Sequence, residues 1–248
     1  MTPESIGLLV AGALIAGYVS GYAGFGTGMT ASGFWLLALP TSAVPPVIIL
    51  TSLVGQFMGV HRLRKSFDWS RALPYLIGAL LTVGLGVLAL NHASPLVTKA
   101  TIGFLLVAFA AVQLSPLRGF SINNWGGKAA DTAIGAGAGF TAGFAGLPGP
   151  IPLIWLRLRG GPSTEQRMIY QPLNLILVSV AGLVMFVTGH VTKTVWLATA
   201  ICVPATFIGA WFGLRAYSAT SEQKFKRIVT TLLFLSGVVL IFQAIGEL

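Results

Sequence analysis

Charge is what this chain has least of. Only 8% of its 248 residues are Asp, Glu, Lys or Arg, where a soluble domain carries roughly a quarter. With 55% hydrophobic residues and a mean hydropathy of +0.85, no fold of this size could hide its apolar surface from water. A water-soluble domain is excluded, and lipid is the solvent for most of the chain. Cysteine is nearly missing too. The single thiol, Cys202, lies inside an apolar run, which rules out a disulfide framework or a thiolate metal cluster and leaves a packed core residue. Acidic residues number six, and no charged residue of either sign falls centrally in an apolar run. The buried acid or His of an intramembrane proton carrier is therefore missing. His61, His92 and His190 fall at helix ends, Asp68, Glu165 and Glu222 in basic loops, and Asp131 at a helix start, where a carboxylate is favourable. There is no P-loop, H-x-x-x-H site or G-x-S-x-G elbow, so neither an ATPase nor a membrane hydrolase is indicated. No enzymatic activity and no cofactor are expected.

Glycine (31) and proline (13) are abundant, as membrane helices tolerate. Fifteen Lys and Arg give a net charge of +9. In a soluble protein that balance would suggest nucleic acid; here the charges cluster between apolar runs and read as topology determinants, with no nucleic-acid partner. Met1 to Ser5 lacks a basic n-region and carries Glu4, so the first apolar stretch is expected to belong to the mature protein.

Apolar runs fall near 5–22, 28–40, 44–61, 71–90, 95–115, 129–145, 149–157, 168–189, 194–214 and 228–246. Six are long enough for a full span of about 20 residues. The 28–40 and 149–157 runs are too short, and each adjoins a Gly-rich stretch. If those stretches were single crossings, the basic residues would split 7 against 8 across the membrane. If each turns the chain back, as a helical hairpin or two short crossings, thirteen gather on one side: Arg62, Arg64, Lys65, Arg71, Arg118, Lys128, Arg157, Arg159, Arg167, Arg215, Lys224, Lys226 and Arg227. Only Lys99 and Lys193 stay on the other. The positive-inside bias selects the second arrangement, with basic loops cytoplasmic and both termini outside.

The first Gly-rich stretch, Gly17 to Gly28, reads G-Y-V-S-G-Y-A-G-F-G-T-G, and the second, Gly139 to Pro150, reads G-F-T-A-G-F-A-G-L-P-G-P. They share G-aromatic-x-x-G-aromatic-A-G at an offset of 122 residues, and Trp69 and Gly86 match Trp196 and Gly213 at 127. The expected architecture is an all-α polytopic membrane protein of two inverted repeats, 1–115 and 129–248, joined by a basic linker over 116–128. Each repeat holds about five helical segments and one Gly-rich broken helix or re-entrant hairpin. An odd number of segments per repeat forces the inversion, the plan of many secondary transporters.

A broken helix leaves backbone N–H groups without intrahelical partners, tolerable in a bilayer only where they line a cavity or meet a ligand. Helix N-termini carry partial positive charge and favour an anion. The short helices begin near Thr27–Gly28 and Gly149–Ile151, and entry from opposite faces would bring both N-termini to the midplane. Candidate substrate-binding residues are Thr27, Gly28, Thr30, Thr51, Ser52, Gln56, Gly149, Gln171 and Asn174. Ser52 and Asn174 stand 122 residues apart, so the repeat places a hydrogen-bonding group twice at one position. Gly21, Gly24, Gly26, Gly143 and Gly146 are the candidate backbone-turn residues. Thr82, Ser179 and Ser236 are expected to bond their own helices.

These motifs resemble the sulfite exporter TauE/SafE family over nearly the whole chain. The likeness is carried by G-Y-A-G-F-G-T-G from Gly21 to Gly28, the Thr51–Ser52 pair, the basic turn into Asp68 and Trp69, and G-F-A-G-L-P-G-P from Gly143 to Pro150. The resemblance implies a bacterial inner-membrane permease for sulfite, sulfoacetate or related organosulfonates. Where the family often has three consecutive glycines this chain has Gly26, Thr27 and Gly28, and its second motif carries prolines at 148, 150 and 152, which remove N–H donors. Partners expected are a small anion and the bilayer. The residues alone also allow an anion or small-solute channel, or a non-transporting membrane scaffold.

Overall fold

A computed structural model describes residues 1–63, 67–115, 121–216 and 222–246; of 58–63, 163 and 222–228 it describes the backbone alone. Arg64, Lys65, Arg118 and the side chains of His61, Arg62, Glu222, Lys224, Lys226 and Arg227 lie outside the described residues. The described residues form helices with no strand: α1 (Pro3–Ala23), α2 (Thr27–Ala38), a 3-10 turn (Thr41–Ala43), α3 (Val44–Leu63), α4 (Trp69–His92), α5 (Pro95–Leu114), α6 (Gly127–Ala145), α7 (Pro150–Arg159), α8 (Ser163–Val187), α9 (Lys193–Ala216) and α10 (Glu222–Gly246). Six of them, α1, α4, α5, α8, α9 and α10, contain stretches long and apolar enough to cross a membrane. The two short runs become α2 and α7, of 12 and 10 residues.

Local chemistry sets the helix ends. The Thr2 hydroxyl accepts from Ser5 N–H with Pro3 opening α1, and Ser94 accepts from Val97 N–H with Pro95 opening α5. Side-chain oxygens there satisfy donors the helix cannot. The stops of α1 and α6 are the same structure. Gly24 (φ 79°) donates to the Ser20 carbonyl and Gly146 (φ 71°) to the Ala142 carbonyl, with both donor and acceptor 122 residues apart. A left-handed residue closes each helix, and glycine takes that conformation without a Cβ penalty.

The most extensive packing pairs α1 with α9, α4 with α6, and α5 with α10. A methyl on Gly17 would overlap the carbonyl oxygen of Thr206, and one on Gly21 that of Ala210; on α6, Gly139 and Gly143 meet the carbonyls of Ala79 and Val83. Reciprocally, Gly213 sits on Tyr18 and Gly86 on Phe140. These three contacts of the first interface map onto the second by adding 122 within α1 and subtracting 127 within α9. Small residues thus bring backbones into contact where lipid gives helices no hydrophobic reason to associate. Because partners advance together along both helices, α1 runs parallel to α9 and α4 to α6. Ser179 bonds its own helix through the Leu175 carbonyl (2.8 Å), as expected; Thr82 likewise reaches the Gly78 carbonyl of its own helix (3.2 Å), and also the Ala136 carbonyl of α6 (2.6 Å).

Each short helix is hydrogen-bonded to the helix before it. The indole of Trp35 on α2 donates to the Leu9 carbonyl of α1 (3.2 Å), and that of Trp155 on α7 donates to Asp131 of α6 (2.9 Å). Leu9 and Asp131 are again 122 apart. Asp131 does not act as a first-turn carboxylate. It lies in the second turn of α6, buried, and pairs with Arg159 at 3.1 Å, so a specific cation takes the place of the helix dipole. Cys202 is fully buried against Leu9, a core residue.

Several of the described basic segments touch one another. Arg71 pairs with Glu165 (3.2 Å), Asp68 N–H donates to the Met168 carbonyl (3.1 Å), Arg157 reaches the Gln113 carbonyl (3.3 Å), and Arg159 bonds Asn124 and the Gly127 carbonyl (both 3.0 Å).

Candidate functional site

The two helix breaks touch. A methyl on Gly28, in the first turn of α2, would lie 3.2 Å from the Gly146 carbonyl and 3.0 Å from Leu147. Ile48 of α3 fills the angle between Gly28 and Gly146. Beside this contact is a cavity of about 20 Å³, room for roughly one water-sized group. Its walls are the first turn of α2 (Gly26, Thr27, Gly28, Met29), the second break (Gly146, Leu147, Pro148, Gly149), Ser52 and Gln56 of α3, and Tyr170, Asn174 and Val178 of α8.

Both short helices start at this cavity, and neither Gly26 nor Gly149 supplies a side-chain cap. The leading N–H groups of a helix have no intrahelical partner. On α2 these belong to Thr27, Gly28 and Met29, whereas on α7 Pro150 and Pro152 carry none and Ile151 is left. The α3 and α8 walls follow helical spacing. Ser52 and Gln56 are four residues apart, as are Tyr170, Asn174 and Val178 in turn, so each set occupies one face. At the 122 offset Ile48, Ser52 and Gln56 correspond to Tyr170, Asn174 and Val178. Two of these pairs, Ser52 with Asn174 and Gln56 with Val178, line the cavity with different side chains, whereas Ile48 is not among its walls. Asn174 is 4% exposed, and its amide oxygen has no hydrogen-bond partner. A buried carboxamide atom left unpaired costs of order 1–3 kcal/mol unless something else meets it.

The sulfite exporter TauE/SafE family model matches residues 9–240 of the 248. The chain belongs to this family. No curated protein and no solved structure matches it. Membership makes this TauE/SafE protein a multi-pass membrane protein of an anion-transporting family, consistent with its six apolar helices.

Among the residues singled out from sequence, the cavity collects Gly26, Thr27, Gly28, Ser52, Gln56, Gly146, Gly149 and Asn174. It does not collect Thr30, Thr51 or Gln171, which are buried off its walls. Thr51 and Gln171 each neighbour a lining residue in sequence, which on a helix points them about 100° away. Gly24 and Gly26 make the first turn in left-handed backbone (φ 79° and 98°), and Gly146 begins the second. Gly21 and Gly143 turn nothing: both are helical and serve the close α1–α9 and α4–α6 contacts.

One residue lining this candidate site, Tyr170, was not singled out from sequence. Tyr170 is buried, its ring edge-on to Phe25 with centroids 5.9 Å apart, and its hydroxyl oxygen would be 2.9 Å from a methyl on Gly149. Its four-residue spacing from Asn174 was the available signal. Arg167 faces a second, larger cavity of about 140 Å³, which shares Gly26, Met29 and Tyr170 with the first.

Proposed function

We propose that this protein carries a small sulfur oxyanion, such as sulfite, sulfoacetate or a related organosulfonate, through the cavity between the two helix breaks. The observation that carries the reading is the convergence there of two helix N-termini without side-chain caps, beside the polar side chains of Ser52, Gln56 and Asn174. Each N-terminus contributes about half a positive charge, so an anion can be held without a buried Arg or Lys. The N–H groups of Thr27, Gly28, Met29 and Ile151 and the side chains of Ser52, Gln56 and Asn174 are the donors. Because prolines strip α7 of donors, α2 holds the anion more strongly than α7.

The two halves act as inverted repeats, 1–115 and 129–248, each with a re-entrant helical pair. Support comes from the interchange of contacts at the 122 and 127 offsets and from the Trp35 and Trp155 contacts that tie α2 to α1 and α7 to α6. If α2 returns the chain, α3 runs with α1 and α4 against it; α6, parallel to α4, then opposes α1. The basic loops face the bacterial cytoplasm and the termini the periplasm, following the positive-inside bias. A cavity of about 20 Å³ favours a carrier, which must rearrange to admit an oxyanion, over a static pore.

The test is Asn174→Leu in purified protein. Sulfite or sulfoacetate should raise the melting temperature of the wild type in detergent and leave the variant unmoved at unchanged expression; counterflow in proteoliposomes should be lost in parallel. A variant still stabilised by sulfite removes Asn174 from the site, and linear, non-saturating flux by the wild type replaces the carrier with a channel.

A further inference from the structure

The larger cavity adjoins the first. It sits among α1, α2, α5, α8 and α10, and has a mixed lining. One part is polar, with Arg167, Gln166 and Thr164 from the start of α8, Gln113 from the end of α5 and Thr230 from α10; the remainder is apolar and aromatic. Aromatic rings line it next to the residues it shares with the smaller cavity. Phe25 is edge-on to both Tyr170 (5.9 Å) and Phe109 (6.3 Å), and Tyr170 borders both cavities.

Arg167 is held in this chamber by a specific accommodation. Its guanidinium lies over Gly24, where a Cβ would come within 2.8 Å of both the central carbon and Nε and closer still to a terminal nitrogen. The left-handed glycine that ends α1 thus also makes room for a cation. A chamber with the Arg167 cation in its polar part and an apolar, aromatic remainder suits an anionic head followed by a short apolar segment.

We infer that this chamber is a second anion site, adjoining the first through Gly26, Met29 and Tyr170, which receives an organic anion at Arg167. It rests on the proposed function only in that the anion it receives is the one passed to the smaller cavity. The ligand class is a small organosulfonate or carboxylate, its charge at Arg167 and its carbon segment against Phe25, Phe109 and Leu153.

Charged thiol reagents test the site without requiring transport. In a Cys202→Ala background, Thr164→Cys at the mouth or Val229→Cys in the wall is labelled with methanethiosulfonate ethylsulfonate, itself a small sulfonate, and with its trimethylammonium counterpart. Relative to their rates with free cysteine, the sulfonate should react about tenfold faster than the cation, and Arg167→Gln should abolish that preference. Sulfoacetate should slow labelling, and this protection should persist when Asn174→Leu disables the smaller cavity. Equal rates for the two reagents, a preference that survives Arg167→Gln, or protection lost with Asn174→Leu would each overturn the second site. Failure of the first site shows instead as unaltered counterflow in Asn174→Leu, so the two ideas fall to different measurements.

Discussion

The indole nitrogen of Trp155 donates a 2.9 Å hydrogen bond to the buried carboxylate of Asp131, and so fastens α7 back onto α6. Arg159 adds a 3.1 Å ion pair to the same oxygen and lies 5.3 Å from the Trp155 ring centre. The pair is largely buried, with 17% and 9% of the two side chains exposed. Removing Asp131 leaves the largely buried Arg159 with neutral partners only, such as Asn124 and the Gly127 carbonyl, and breaking a buried pair costs up to roughly 3–5 kcal/mol. Asp131→Ala should therefore lower the melting temperature in detergent sharply, whereas Asp131→Asn combined with Arg159→Met should recover most of the loss. If the double variant is as unstable as the single one, the unpaired Arg159 is not the cause.

The duplicated glycine interfaces predict equal damage at equivalent positions. Gly17 meets the Thr206 carbonyl and Gly139 the Ala79 carbonyl, and these are backbone atoms that cannot rotate aside. Alanine at either should cost about 1–3 kcal/mol, the range for overpacking a filled contact. Gly7 and Gly84, with nothing within 4 Å of an added methyl, should accept alanine with no loss and a slight gain in helix propensity. Thermal unfolding of the four single variants checks this. A large loss at Gly84, or none at Gly139, contradicts the packing.

Asp68 gives a pH dependence. The Arg71 N–H bond holds its carboxyl below the ordinary value of 3.8, with help from the Ser70 hydroxyl and the Arg71 charge and against partial desolvation. A group with a lowered folded pKa stabilises fully above its unfolded value, and that contribution is lost as pH falls through the folded one. Wild type should accordingly lose more stability than Asp68→Asn on acidification from about pH 5 to pH 3. At neutral pH Asp68→Ala should cost about 1 kcal/mol through the lost α4 cap, and Asp68→Asn much less. Parallel acid sensitivity in wild type and Asp68→Asn would assign the effect to another group.

Much of this was legible because the matching contacts are written in glycine. Close contact and left-handed caps both demand the smallest residue, so Gly17, Gly24, Gly139 and Gly146 announce their positions in the sequence. Polar residues inside apolar runs likewise marked Ser52, Gln56 and Asn174. What stayed hidden depends on rotation about a helix axis and on contacts between distant segments. Thr51 and Ser52 are equally polar neighbours, and the runs containing them are apolar all round, which leaves no face to orient them. Asp131 could not be paired with Arg159 before α7 was seen to meet α6. Tyr170 carries no polar signal stronger than any other aromatic residue, and only its place between two cavities distinguishes it.

The separation of Gln171 from Asn174 yields the sharpest contrast among side chains of one helix. Both are 4% exposed, but Asn174 lines the cavity and Gln171 does not. A hydrogen bond to a charged ligand contributes about 1.5–3 kcal/mol, equivalent to at least tenfold in affinity. In proteoliposome uptake, Asn174→Leu and Gln56→Leu should therefore raise the KM for sulfite by about tenfold or more. Gln171→Leu should change KM by less than about twofold, because an amide that never meets the ligand can affect transport only through the fraction folded. That fraction should track the melting temperature, so normalising by folded protein should restore the wild-type rate. A KM raised as far by Gln171→Leu as by Asn174→Leu would place the bound anion on a different face of α8 and move the site away from the two helix breaks.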